Sequence, residues 1–181
     1  SLTALEKAAA PESRLDLLGA RRIYMDILSR TTDASVRITA ESRLGDVNLT
    51  LIMNPYPMPE KEAYEVRPGD SVDRIARKFG TTKELVALSN NIRDANLIKV
   101  GDSLRVFKGK LALRISKKRH DMVVSVDGNF FKRYRVGTGA FDKTPVGAFV
   151  VTDKEKEPVW WQRDGQAIPF GDPRNILGTR W

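Results

Sequence analysis

Three closely spaced prolines separate stretches of this chain that have different folding patterns. Residues 54–63 read NPYPMPEKEA, with proline at every second position from 55 to 59. Proline lacks a backbone N–H and has a fixed φ, so this stretch cannot continue a helix and favours an extended spacer. We therefore expect a linker at 54–63, with separate domains before and after it.

The residues before this linker show the periodicity of helices. Residues 12–30 and residues 33–52 each place apolar side chains at spacings of three and four, which is one face of a helix. Asp33 is a suitable N-cap for the second helix. The short connection predicts an antiparallel hairpin over residues 1–53. Two interpretations stay open: a plain hairpin that packs on its neighbours, or the last unit of a helical repeat array.

Residues 64–107 predict a strand, two short helices and a second strand. The first strand covers Tyr64 to Val66, and Pro68-Gly69 turns the chain. Asp70 then stands where an N-cap belongs, and Gly80 follows the last apolar position of the helix, where a left-handed residue is common.

The tripeptide Gly-Asp-Ser occurs at 69–71 and again at 101–103. The first copy leads into a helical pattern, whereas the second leads into the strand 103–107, so we interpret the two as different uses of one tripeptide. Thr81, with Glu84 three residues later, fits a capping box for the second helix.

These features closely resemble a LysM domain. The matching positions, in order, are Tyr64, Val66, Gly69-Asp70-Ser71, Ile75-Ala76, Phe79-Gly80, Leu85, Asn90, Ile98, Gly101, Asp102 and Leu104. Asp102 departs from the family, which often has Gln there. The resemblance implies a βααβ fold that binds glycans containing N-acetylglucosamine, here peptidoglycan.

The family's shallow groove lies between the loop after the first strand and the loop before the second. When the positions of this groove are carried over to this sequence, the predicted glycan-binding residues are Gly69, Asp70, Ser71 and Val72, facing Asn96, Leu97 and Ile98. Backbone amides can pair with an acetamido group, and apolar side chains can touch its methyl. The alternative is that Val72, Ile75 and Ile98 are core residues and Asp70 is only a cap. A single shallow module is expected to bind weakly.

Residues 110–181 change to a pattern of strands. Positions 111, 113 and 115 alternate as apolar residues, Asp127-Gly128 is a strong hairpin signal, and Val146 to Val151 reads as a further strand. Trp160-Trp161 either lines a peptide groove or covers the sheet, and the sequence does not separate these alternatives.

This portion resembles the opening of an L,D-transpeptidase catalytic domain of the YkuD family. The matching pieces are Asp127-Gly128, Tyr134 to Val136, Gly137-Thr138-Gly139, Thr144-Pro145-Val146-Gly147, Phe149, Asn175 to Gly178 and Trp181. The resemblance implies a bacterial enzyme that acts on peptidoglycan stem peptides through a cysteine acyl-enzyme. Its later His-Gly and Ser-His-Gly-Cys motifs are absent, so no catalytic residue is assigned and this chain is expected to be inactive.

Composition excludes several classes of site. With no cysteine and only His120, the chain has no thiolate metal site, disulfide or histidine triad, and we predict no cofactor and no metal. Residues 108–181 hold 15 Lys and Arg against 8 Asp and Glu, a net charge of +7 that favours an anionic partner. Nucleic acid is the disfavoured candidate, because the stacked aromatic pattern of a single-strand binder is missing. No apolar run is long enough to span a membrane.

Together these features predict an α+β protein: an N-terminal helical hairpin, a LysM βααβ domain at 64–107, and an incomplete β-rich L,D-transpeptidase-like domain at 110–181. The expected function is peptidoglycan binding within a bacterial L,D-transpeptidase of the cell envelope, periplasmic or wall-associated. The alternative is a non-catalytic module that anchors a protein to peptidoglycan or chitin.

Overall fold

The computed structural model describes Leu5, residues 16–139 and residues 143–181, and the chain divides into two compact units, 1–139 and 140–181. The fold is α+β, which confirms the predicted class. The first unit contains α1 (Leu17–Arg30), α2 (Ala34–Met53), β1 (Lys61–Glu65), α3 (Val72–Phe79), α4 (Lys83–Ser89), a 3-10 turn (Ala95–Leu97), β2 (Ser103–Phe107), β3 (Leu111–Ser116), β4 (Asp121–Val126) and β5 (Asn129–Arg135). The second unit contains β6 (Trp160–Trp161) and β7 (Ala167–Ile168).

The two N-terminal helices form a hairpin, as their periodicity predicts. Asp33 caps α2 by accepting bonds from the backbone N–H groups of Ser35 and Val36, at 2.8 and 3.2 Å. Asp16 does the same for α1 through Gly19, at 2.9 Å. The facing apolar side chains are buried and form one core, which contains Ala20, Tyr24, Ile27, Val36, Ala40, Leu44, Val47 and Leu51.

The hairpin also packs on the three-stranded antiparallel sheet, whose strand order is β3-β4-β5. Helix α2 lies along β5, where the pairing register shifts and Phe131 is the extra residue of a β-bulge. Asn48 is fully buried on α2, and its side-chain amide donates a hydrogen bond of 2.8 Å to the carbonyl of Phe131. Gly45 permits the close approach, because a Cβ there would lie 2.9 Å from Cγ of Lys132. One buried amide thus satisfies a carbonyl that the bulge removes from the ladder.

The proline-rich stretch is packed against the hairpin. Met58 is buried in the hairpin core, and Glu60 forms a buried ion pair with Arg21 of α1. The amine of Lys61 donates 2.7 Å to the carbonyl of Leu51, near the end of α2. The first strand begins at Lys61, so its predicted start at Tyr64 is wrong. The packing of this stretch on the hairpin was not predicted, because contacts such as that of Glu60 with Arg21 join residues far apart in sequence.

The βααβ order of residues 64–107 is confirmed. Strands β1 and β2 pair antiparallel, from Lys61 opposite Phe107 to Glu65 opposite Ser103. The two short helices cover this ribbon and enclose a small core that consists of Tyr64, Val66, Val72, Ile75, Ala76, Val86, Leu104 and Val106. Gly80 ends α3 in the left-handed conformation at φ 65°, as predicted.

The hairpin signal at Asp127-Gly128 is also confirmed. Both residues have positive φ, 49° and 80°, and they join β4 to β5 as a two-residue turn. This is the backbone of a type I′ turn, which suits the right-handed twist of the strands.

The second unit is built from a short antiparallel pair, β6 with β7. Ile168 is fully buried, and the side-chain amide of Asn175 donates to the carbonyls of Pro158 and Ile168, at 3.1 and 2.9 Å. The predicted strand at 146–151 is wrong, because these residues are exposed and unpaired in the part of the chain that the structure describes. Without a neighbouring strand, the valines and the phenylalanine of this segment have no ladder to join.

None of the helices that the structure describes has the length and hydropathy to span a bilayer.

Candidate glycan-binding site

Two matching turns stand at one end of the β1-β2 ribbon. In the first, the N–H of Asp70 bonds the carbonyl of Arg67 at 3.1 Å, and its carboxylate accepts the N–H of Arg67 at 2.9 Å. In the second, Asp102 makes the same two bonds to Lys99, at 3.0 and 2.8 Å. The two Gly-Asp pairs therefore form the same local structure, and the chain paths diverge only at the serine that follows each pair.

A positive φ at the glycine is what each turn requires. Gly69 has φ 82° and Gly101 has φ 92°, the left-handed value of the third residue in a type II turn. A residue with a Cβ is strained there, so the glycine of each Gly-Asp pair is fixed by backbone geometry.

Backbone bonds hold the two turns side by side. The N–H of Val66 donates to the carbonyl of Asp102, and the N–H of Gly101 donates to the carbonyl of Val66, both at 2.9 Å. This pairing extends the β1-β2 ladder by one residue into the turns. The loop that follows β1 and the loop that precedes β2 are consequently neighbours on one surface, although about 30 residues separate them in sequence.

The predicted caps of α3 and α4 are shifted by one residue. Ser71, and not Asp70, caps α3, because its hydroxyl accepts the N–H of Arg74 at 3.2 Å. Thr82, and not Thr81, caps α4 by accepting the N–H of Leu85 at 3.2 Å. The first of these predictions was wrong because the carboxylate of Asp70 is already used within its own turn.

Asp70 is also bound by a side chain of β1. Its carboxylate accepts a hydrogen bond of 2.8 Å from the hydroxyl of Tyr64, and Tyr64 is a buried residue. The N–H of Arg67 and then this hydroxyl hold the pKa of Asp70 below its ordinary value. The same bond raises the pKa of Tyr64. Asp70 therefore stays ionised and fixes the turn at neutral pH.

Two cations of α3 pack against this turn. The guanidinium of Arg74 donates to the carbonyl of Gly69, and the amine of Lys78 lies 4.4 Å from the ring centre of Tyr64. The tyrosine ring also meets Phe79 edge-on, with centroids 5.5 Å apart. The first loop is thus held from the strand side and from the helix side.

The seven predicted site residues fall into two groups. Val72 is 1% exposed and lies in the core of the βααβ region, and Ile98 is partly buried against that core. The remaining five are exposed or half-buried on the two loops; they are Gly69, Asp70, Ser71, Asn96 and Leu97. Leu97 is the prominent apolar side chain among them, with 68% exposure.

The carboxylate of Asp94 orders the second loop. It accepts the backbone N–H of Asn96 at 2.9 Å and the side-chain amide of Asn96 at 3.0 Å. The short 3-10 turn that follows is capped in this way, and Leu97 projects from it into solvent. A hydrogen-bonded loop limits the entropy lost when a ligand binds.

Asn90, one of the matching positions of the sequence, makes side-chain bonds that were not predicted. Its amide donates to the carbonyls of Val86 and Arg105, at 2.8 and 3.0 Å, and its oxygen accepts the N–H of Arg105 at 2.7 Å. It therefore joins the end of α4 to β2. The signal available in the sequence was an asparagine at the predicted end of a helix.

His120 lies outside this site. It is exposed at the turn between β3 and β4, with φ 50°, and Nδ1 is 3.0 Å from the hydroxyl of Thr138. Nearby, Asp121 is buried and bonded by Arg119 and Arg133, which hold its pKa below the ordinary value. These contacts tie together the ends of the strands.

The folds and motifs described above agree with two families of cell-wall domains. Residues 64–107 match the LysM domain family, and residues 111–179 match the L,D-transpeptidase catalytic domain family, YkuD. The chain therefore contains a LysM domain followed by an L,D-transpeptidase catalytic domain region, as the sequence predicts.

No curated protein matches the chain. A solved structure described as "Crystal structure of MoCVNH3 variant (Mo0v) in complex with (N-GlcNAc)4" is similar at 21% identity with a TM-score of 0.29. The match covers 49% of this chain and 64% of that one, which is less than two thirds of its length.

Proposed function

We propose that this chain binds peptidoglycan in the cell envelope of a bacterium, as the wall-binding part of an L,D-transpeptidase. The LysM domain is the proposed binding element, and its ligand is a glycan strand that contains N-acetylglucosamine. The observation that carries this proposal is the pair of ordered turns held side by side by Val66.

The proposed groove lies between residues 69–72 on the first loop and residues 96–98 on the second. Backbone groups of the two turns are suited to the N–H and C=O of an acetamido group. Leu97 supplies an exposed apolar surface for the acetamido methyl. Val72 and Ile98 form the floor from below, since the first is buried and the second partly so.

The arrangement favours weak but ordered binding. The loops are shallow and exposed, so they bury little ligand area, whereas their internal hydrogen bonds keep the ordering cost low. Avidity along a polymer with many repeated sugars compensates for a weak single contact.

The test is a titration of the protein with chito-oligosaccharides and muropeptides, followed by amide chemical shifts. Shifts are expected on the loops at 67–71 and 96–101. Leu97→Ala should weaken binding roughly 5- to 10-fold, the value of a lost apolar contact of one side chain. Leu88→Ala is the matched control, because Leu88 is also exposed but lies on α4. Unmoved loop amides, or equal effects of the two variants, would contradict the proposal.

We do not assign an acyl-transfer step to these residues. The L,D-transpeptidase resemblance implies a cysteine thiolate nucleophile, and the 181 residues contain no cysteine. The proposed contribution of the chain is to bind and position the wall polymer. Incubation with a carbapenem is expected to leave its mass unchanged, and a stable acyl adduct would overturn this part of the proposal.

A further inference from the structure

A cleft lies between the helical hairpin and the three-stranded sheet of the first unit. Its volume is about 600 Å³, and it is lined by α1, α2 and all three strands β3 to β5. Ligand pockets are commonly about 300–1,000 Å³. The LysM loops are not among its lining residues, so the cleft has no part in the function proposed above.

One part of the cleft is apolar. Leu44 and Val123 are buried residues that line it, from α2 and β4. Met25, Leu28 and Phe130 are half-buried around them and leave apolar surface accessible. A bare inorganic anion gains nothing from such a wall, whereas an aliphatic side chain does.

The charges of the cleft are unevenly compensated. Glu41 accepts two bonds from Arg133, at 2.7 and 3.0 Å, and Arg133 also bonds Asp121, so Arg133 is paired with both carboxylates. Arg37 donates to backbone carbonyls at the end of α1, which are neutral. Arg114, on β3, is exposed and has no hydrogen-bond or ion-pair partner among the residues that the structure describes.

Two guanidinium groups without a matched carboxylate therefore line the cleft, beside its apolar part. A guanidinium binds a carboxylate through paired N–H···O bonds that are stronger than neutral ones. Ser29 and Asn129 lie in the lining and offer polar groups to amides.

We propose that this cleft binds a short peptide by its free carboxylate, with Arg114 and Arg37 holding the carboxylate. The apolar wall receives the side chain next to it. This places a peptide site in the same unit as the proposed glycan site but on different elements.

The test uses the full chain and two synthetic probes. One is an N-acetylated Leu-Ala-Ala peptide with a free C-terminal carboxylate, and the other is the same peptide as a C-terminal amide. Amide shifts of Ser125 and Asn129, which line the cleft, report binding. The acid is expected to bind at least tenfold more tightly than the amide, because only the acid forms the charge-assisted bonds. Equal affinities would overturn the proposal, as would the absence of shifts with the acid.

Arg114→Gln is the decisive variant, because Arg114 is exposed and its loss leaves no internal bond unmade. It should weaken binding of the acid by about tenfold and leave the amide unaffected. Arg93→Gln is the matched control, an exposed arginine of the LysM domain. Arg114→Gln with wild-type affinity would refute the assignment.

Leu97→Ala, which tests the glycan site, should not change peptide binding, so the two proposals fail independently. Inorganic phosphate is expected not to displace the acid, and displacement would indicate a simple anion site.

Discussion

The buried amine of Lys61 should make the folded protein more stable as the pH rises. The amine donates to the carbonyl of Leu51 at 2.7 Å and also to that of Asn54, at the end of α2. Burial first, and the nearby charge of Arg105 second, lower the pKa of Lys61 from 10.5 to about 8.

The magnitude follows from the linkage between proton binding and folding. The unfolded chain keeps the ordinary pKa, so between about pH 8 and 10.5 it binds more protons than the folded state, and stability rises with pH. The helix C-terminus favours the charged amine by only ~0.3–1 kcal/mol. The lowered pKa corresponds to about 3.4 kcal/mol against the charged form, so desolvation outweighs the dipole. Integrated from pH 7 to 9.5, the gain is about 2 kcal/mol.

Urea unfolding of the wild type and of Lys61→Met at pH 7 and 9.5 measures this effect. The free energy of unfolding of the wild type should gain about 2 kcal/mol relative to the variant, which has no amine to titrate. Lys108→Met is the matched control, since its amine is exposed and ion-paired with Glu62 at 3.0 Å. The same pH slope in the wild type and in Lys61→Met would refute the reasoning.

Two further predictions concern buried and half-buried polar bonds. Asn48→Ala leaves the carbonyl of Phe131 buried without a donor and should lower the free energy of unfolding by about 1–3 kcal/mol. Asn129→Ala is the control, because Asn129 is exposed and its loss should change the free energy of unfolding little. Equal losses for the two variants in urea unfolding would contradict this. Tyr64→Phe removes one bond that lowers the pKa of Asp70, so the stability that the ionised carboxylate supplies should be lost at a higher pH during acidification. An unchanged carboxyl titration of Asp70, followed by NMR, would argue against it.

Local patterns predicted the secondary structure well where one stretch of sequence sufficed. The cap at Asp33, the left-handed Gly80 and the two-residue turn at Asp127-Gly128 were all read from neighbouring residues. Each depends on backbone geometry and on bonds that span four residues or fewer. The caps at Ser71 and Thr82 were missed by one position, because two suitable side chains are adjacent there and the sequence does not say which one is already bonded.

Contacts between distant segments were beyond the sequence patterns. The prolines of 54–63 predicted a spacer, yet Glu60 meets Arg21 and Lys61 meets the end of α2. Val146 to Val151 has the composition of a strand but no partner in the described structure. A strand is stabilised by its neighbours, so composition alone does not establish one.

At the glycan site, too, local sequence and tertiary packing decided different features. Its seven residues were carried over by resemblance and stay a prediction, and their sequence did not separate Leu97, which is exposed, from Val72, which is buried. Burial depends on what α3 packs against, and that is known only when β1 and β2 are paired.

The sequence by itself determined the helical hairpin, the βααβ order and the two-residue turn at Asp127-Gly128, because each rests on residues close along the chain. Only the tertiary structure decided that the two Gly-Asp pairs form matching turns and are neighbours, that the hairpin covers the bulge at Phe131, and that a cleft with unmatched arginines lies beside it. Those features come from pairing and packing between segments tens of residues apart, where no local periodicity carries the information.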